Sequence, residues 1–160
     1  MMILGIDPGL KATGYGFVEC RKRRIILVET GTIQPKPSDS IENRLNRIYT
    51  ILKDLIQRHQ PQILVLEKLY AHYKHPITSS ILGHVRGVVC LLCSQEKIEL
   101  VEHSAKRIRK AVTGNGNASK LQTQRVVAHQ LNLDEKKLTL DASDALALAL
   151  GCIQIRNYSL

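Results

Sequence analysis

Residues 1–16 read MMILGIDPGLKATGYG, and the fold turns on how this stretch is parsed. Met1 to Ile6 are apolar without alternation, the pattern of a strand covered on both faces, and the run stops abruptly at Asp7. Pro8 and Gly9 force a turn, while Gly14 and Gly16 leave side-chain room where the next strand begins. Asp7 is thereby set at the mouth of a sheet with little bulk around it. Asp-Pro-Gly also opens ordinary turns, so this stretch alone leaves Asp7 either a turn residue or a site residue.

Working outward, Tyr15 to Cys20 and Ile25 to Ile33 read as two strands hinged at the basic tetrad Arg21, Lys22, Arg23 and Arg24. So short a link demands antiparallel neighbours. Charge at a hairpin tip is ordinarily just solvated, and this tip lies at the strand end opposite Asp7. Pro35, Pro37 and the run Ser38, Asp39, Ser40 then break the pattern and offer helix caps, with Glu42 three residues after Asp39. The apolar positions that follow, Ile41, Leu45, Ile48, Leu52, Leu55 and marginally His59, step by four and three and predict a helix lying on the sheet. Pro61 ends it, and Ile63 to Leu66 form a second unbroken apolar run that again stops at a carboxylate, Glu67. Strand, crossover helix and strand make a right-handed parallel pair, which brings Asp7 and Glu67 to one carboxyl edge.

From Ile77 to Cys93 the residues Ile77, Ile81, Val85, Val88 and Leu92 make one helical seam, widened by Leu82, Val89 and Leu91. Gly83 and Gly87 share a face that would let a second helix approach closely, which fits a subunit partner as well as intramolecular packing. Ile98 to Glu102 is a further short strand, and Ser104 can cap the helix after it. The expected class is therefore α/β, with a mixed five-stranded sheet, the first three strands antiparallel and the later ones parallel, flanked by helices. Between Glu102 and Asp134 there is no acidic residue, yet Lys106, Arg107, Arg109, Lys110, Lys120 and Arg125 fall there around the loop Thr113 to Asn117. Backbone amides of a Gly- and Asn-rich loop can reach phosphates, so this window is a better nucleic-acid contact than the tetrad. The last segment, Leu140 to Ile155, is helical in pattern, with Asp141 and Asp144 on one face near its start. Helix capping alone would account for them. Ala142, Ala145, Ala147 and Ala149, however, keep the helix thin enough to lie close on a sheet and carry both acids to the edge of Asp7 and Glu67.

Composition narrows the chemistry. With 160 residues and 44% hydrophobic content the chain is the size of one domain with a sizeable core. Lys and Arg outnumber Asp and Glu by 23 to 14, a net charge of +9 that points to a polyanion, most commonly nucleic acid. No stretch approaches the ~20 apolar residues of a membrane span and no signal peptide is evident, so a cytoplasmic protein without membrane partners is expected. Cys20, Cys90, Cys93 and Cys152 are too scattered for a disulfide framework, and the Cys90/Cys93 pair, inside VVCLLC, reads as buried thiols. The cluster His72, Tyr73, Lys74, His75 lacks a third metal ligand and reads as loop residues near nucleic acid. Four carboxylates converging without Lys or Arg partners would repel one another unless cations neutralise them. Hard oxygen ligands select Mg²⁺ or Mn²⁺, and two such ions about 4 Å apart can activate water and stabilise the leaving oxygen of a phosphodiester. An acid cluster on a basic chain reads as a nuclease.

The strings GIDPGLKATGYG, LEKLYAHY, GHVRG, VTGNGNASK and DASDALALA, spread from end to end in this order, resemble the RuvC family of bacterial Holliday junction resolvases. The resemblance implies an RNase H-like fold, one nuclease domain over residues 1–160, a homodimer, and Mg²⁺-dependent paired nicking of two strands of four-way junction DNA in recombination and repair. It also implies partnership with a hexameric branch-migration motor and its junction-binding companion. By motif, Asp7, Glu67, Asp141 and Asp144 match the family's metal-binding catalytic acids, with two Mg²⁺ per site and Mn²⁺ as substitute. Tyr70 falls where the family has an aromatic that stacks on a junction base. Arg109 and Lys120 match basic DNA contacts, Arg109 standing where relatives often carry Lys, and Asp144 where some carry His. With so little chain after Ile155, no C-terminal extension is expected to contribute. The rival readings are an actin-like ATPase or sugar kinase, which needs a second lobe, a YqgF-type RNase H-like nuclease acting on RNA or other junctions, and a non-catalytic junction-binding module.

Overall fold

The computed structural model describes residues 1–22, 24–68 and 76–157. Strand β1 (Met2–Asp7) is followed by β2 (Thr13–Arg21), β3 (Arg24–Ile33), α1 (Ile41–His59), β4 (Ile63–Glu67), α2 (Pro76–Gln95), β5 (Glu99–His103), α3 (Ala105–Thr113), α4 (Lys120–Gln130), a 3-10 turn at Glu135–Lys137, and α5 (Leu140–Asn157). The sheet order is β3-β2-β1-β4-β5. β1 pairs antiparallel with β2, β2 antiparallel with β3, and β1–β4 and β4–β5 are parallel, as the short hairpin links and the helical crossover require.

Because side chains alternate across a strand, a sheet covered on both faces sorts odd from even positions. Ile3, Ile63 and Val65 pack with Val18 against α3, α4 and α5. Leu4, Ile6, Leu64 and Leu66 pack with Phe17 against α1 and α2. Helix α1 buries Ile48, Leu52, Leu55 and Ile56, each side chain contributing roughly 1.5–3 kcal/mol by area. Two details depart from expectation. Ile41, in the first turn, is exposed because the apolar stripe starts only where the helix reaches the sheet, and the N-cap is Ser40, not Asp39. His59 does belong to the buried side: its ring lies 4.6 Å from that of Phe17, and its Nε2 is 2.7 Å from the Glu29 carboxylate.

Helix α2 turns Val85, Val89 and Leu92 into the core. Gly83 and Gly87 face open space and Leu91 is 52% exposed, so the other side of α2 is left uncovered by the described residues. The boundary runs between the two paired cysteines. Cys93 is buried as expected, whereas Cys90 is exposed: residues three apart are offset by about 60° around the helix, which is enough to set Cys90 past the edge of the buried stripe. Among the described residues, no helix is long and apolar enough to cross a membrane.

The third contact layer is the tightest. A Cβ added at Gly5 would lie 1.9 Å from the Ala145 carbonyl oxygen, and one at Gly14 would lie 2.0 Å from that of Asp141. At Gly16 the obstacle is Leu146, 2.5 Å away. Glycine on the strands and alanine on the helix therefore let the α5 backbone rest directly on β1 and β2. Gly14→Ala must push the first turn of α5 off the sheet, a cost on the order of 3 kcal/mol. Thermal denaturation should show it, together with loss of whatever function Asp141 and Asp144 serve; unchanged stability and function would mean α5 has slack at this contact.

Candidate functional site

Asp7 continues the odd face of β1 after Ile3 and Gly5, and Glu67 continues that of β4 after Ile63 and Val65. The β1–β4 register runs from Ile3↔Ile63 to Ile6↔Leu66, so the two carboxylates stand one step past its end, side by side under α3–α5. The turn that Asp7 could have closed is closed instead by Thr13, which donates its hydroxyl to the Gly9 carbonyl at 2.7 Å. The capping role open to Asp141 and Asp144 is taken as well: Thr139 Oγ1 accepts the Ala142 N–H at 3.2 Å. Both structural explanations for these acids are thus filled by threonines.

Asp7, Glu67 and Asp144 line one cleft of about 70 Å³ together with Arg109 and Lys120. Asp141 borders the adjoining groove beside Gly9, Leu10, Lys11, Ile81 and Leu82, still close enough for its charge to act on Asp7. The basic residues arrive through well-defined helix starts. Ser104 accepts the Arg107 N–H and begins α3, which carries Arg109, and a Ser119/Gln122 capping box places Lys120 at the first residue of α4. Between them Gly114, at φ 78°, ends α3 in the left-handed region that favours glycine. The hairpin tip lies elsewhere: Arg21 pairs with Arg24 at one end of the sheet and Asp7 with Gly14 at the other. Tyr70 and the His72–His75 cluster lie outside the described residues.

Burial, followed by the charge of Asp144, pushes the Asp7 carboxyl up to about 7, against the opposing pull of Lys120. Glu67 is raised too, chiefly by burial, with Arg109 pulling the other way. The expectation that these acids have no Lys or Arg partner is corrected here. Lys120 donates to Asp144 Oδ2 at 2.6 Å, and this hydrogen bond raises the lysine's own pKa. A helix-start lysine reaches into the cluster because an uncompensated group of carboxylates draws the nearest cation. Arg86 of α2, within GHVRG, also reaches the site although composition and periodicity do not single it out. It donates to the Glu67 main-chain carbonyl at 2.7 Å and pairs with Glu102. Its signal was a single cation next to Val85 in an otherwise apolar helix.

The donor chemistry fits a hard divalent cation: the acids supply carboxylate oxygens, partly desolvated, and burial with the charge of Asp144 raises the Asp7 carboxyl to about 7. Among the described residues no three His, Cys, Asp or Glu side chains stand close enough to hold a metal as placed. The positive charge in the cleft is that of Lys120 and Arg109.

A family model described as "Crossover junction endodeoxyribonuclease RuvC" matches residues 3–152. A RuvC of Rhodopirellula baltica is 38% identical over 148 residues, covering 92% of this chain and 83% of its own. One from Pseudothermotoga lettingae is 37% identical over 160 residues, covering 99% and 98%. A solved structure titled "T. thermophilus RuvC in complex with Holliday junction substrate" shares the fold, with TM-score 0.88 at 20% identity over 99% of this chain and 96% of that one.

The raised Asp7 carries a sign for stability. An acid with a folded pKa near 7 and an unfolded value near 3.8 binds more protons when folded, so its contribution falls as pH rises through that window. The loss is on the order of 2–4 kcal/mol. In metal-free buffer, Asp7→Asn should therefore melt several degrees above the wild type at pH 8 and alongside it at pH 4. A wild-type advantage at pH 8 would show that Asp7 is not strained by its neighbours.

Proposed function

The chain belongs to the RuvC family of crossover junction endodeoxyribonucleases, and on that footing we propose that it resolves four-way DNA junctions by metal-dependent, paired nicking of two strands in recombination and repair. The observation that carries this reading is the cleft in which Asp7, Glu67 and Asp144 meet Arg109 and Lys120 at the carboxyl edge of the sheet. Asp7, Glu67 and Asp144, with Asp141 from the next groove, would hold two Mg²⁺, Mn²⁺ serving in their place. Bound there, the ions would lower the pKa of an attacking water and supply positive charge for the leaving oxygen.

The protein's own groups do the rest. Arg109 and Lys120 receive the phosphodiester, Lys120 exchanging its Asp144 carboxylate for a phosphate oxygen. Tyr70 stacks on a junction base, a role that rests on its sequence position alone. Coordinated nicking of opposed strands needs two sites related by a two-fold axis, which makes the working unit a homodimer. The uncovered side of α2 around Gly83, Gly87 and Leu91 supports that helix as the subunit contact. In this reading residues 1–160 act as one RNase H-like domain in the bacterial cytoplasm, beside a hexameric branch-migration motor and its junction-binding companion.

A synthetic mobile four-way junction, incubated with protein and Mg²⁺ and mapped on all four strands, tests this directly. Symmetric nicks in two opposed strands are expected. Asp7→Asn and Glu67→Gln should each lower cleavage on the order of 100-fold or more while junction binding without metal persists or tightens. Wild-type nicking by both variants would make the carboxylates structural, and uncoordinated nicks would argue against the dimer. Arg109→Ala should weaken junction binding and reduce the slope of log K against log salt by about 1. An unchanged slope would remove Arg109 from the DNA contact.

A further inference from the structure

We infer that Arg86 is a positioning residue for the reaction, bracing the end of β4 so that the Glu67 carboxylate is presented at the cleft. The inference rests on the reading of Glu67 as a catalytic carboxylate. Arg86 lies on α2, one residue beyond the buried Val85, and its side chain is only 13% exposed. One guanidinium nitrogen, Nη1, donates to the Glu67 main-chain carbonyl at 2.7 Å, and the other, Nη2, pairs with the Glu102 carboxylate on β5. A single planar group therefore ties three elements together.

The location is what gives this brace a purpose. The β1–β4 pairing runs to Ile6↔Leu66, so the strand partner of Glu67 itself is on the β5 side, where it pairs with His103 and the Lys68 main-chain N–H donates to the His103 carbonyl at 2.8 Å. On the β1 side Asp7 is the last strand residue, and the chain turns away directly after it at Pro8. The residue that must be placed most accurately thus sits where the sheet has begun to release its strand. Arg86 supplies the missing restraint from the helix layer, anchored by the core packing of Val85 and Val89. The guanidinium donates to the carbonyl and the carboxylate from two nitrogens held in a fixed plane, so the compact ammonium of Lys, on a flexible stem, would keep only part of the contact and Met none of it. A misplacement of about 1 Å in a reacting constellation costs on the order of 100-fold in rate.

The experiment compares wild type, Arg86→Met, Arg86→Lys and Glu67→Gln on one junction. It records single-turnover cleavage across a Mg²⁺ titration, Mn²⁺ affinity by electron paramagnetic resonance, junction affinity without metal, and melting temperature. For Arg86→Met we expect cleavage down by about 10- to 100-fold, a several-fold higher Mg²⁺ half-saturation and weaker Mn²⁺ binding, with junction affinity within about twofold. Arg86→Lys should fall between it and wild type. A purely structural arginine would lower the folded fraction without moving either metal constant, so unchanged metal constants in Arg86→Met overturn the inference. If Arg86→Met does not fold, Glu102→Gln loosens the same guanidinium while keeping its charge. A smaller shift of the metal constants in the same direction supports the brace, and none overturns it. Wild-type cleavage by Glu67→Gln would overturn the nuclease reading itself, whereas an inactive Glu67→Gln beside an unaffected Arg86→Met overturns only the role of Arg86.

Discussion

The acidic edge depends on how closely α5 can lie on β1 and β2. No side chain separates them at Gly5 and Gly14, where even a methyl group would sit about 2 Å from a helix carbonyl oxygen. That contact fixes the height of the helix above the sheet, and with it the position of Asp141 and Asp144 relative to two strand ends. Backbone resting on backbone is a stiff restraint, because neither partner has a rotamer through which to relax. The small residues that look like weak packing in the sequence are what make the site geometrically definite.

Once the acids are gathered, electrostatics sets the terms. Desolvation and mutual repulsion leave Asp7 half-protonated near neutral pH, and Lys120 is drawn onto Asp144. A site in this condition is poised for a doubly charged cation, which would relieve Asp7 and release the lysine. Under the proposed function, the same carboxylates that repel one another without metal would be the ones to hold it, a trade of fold stability for chemistry. The net charge of +9, which already counts these acids, favours a polyanion despite this acidic spot.

Around this centre the fold divides its labour by face. The α3–α5 side holds the acids and their basic neighbours, while α1 and α2 cover the other side and leave the Gly83–Gly87 surface open. Arg86 joins the two, reaching from α2 to the strand end that carries Glu67. If α2 is the subunit contact and Arg86 braces Glu67, as proposed, one helix would serve both assembly and activity.

Much of this was legible in the residues. Two apolar runs each ending in a carboxylate, with one amphipathic helix between them, dictate a parallel pair with both acids at one edge, because strand period and crossover handedness leave little choice. Gly14 and Gly16 opposite an alanine-rich helix forecast the close approach of α5, and Ser104 forecast the start of α3. Other features arose only in three dimensions. Lys120 lies 24 residues from Asp144 and Arg86 lies 19 from Glu67, so neither pairing leaves a periodic mark. The same holds for Thr139 taking the cap from Asp141, for Asp141 facing the adjoining groove, and for Cys90 turning outward while Cys93 is buried. Periodicity encodes which face of an element is covered. Which side chain meets which across elements is decided by register, reach and charge once the layers have closed.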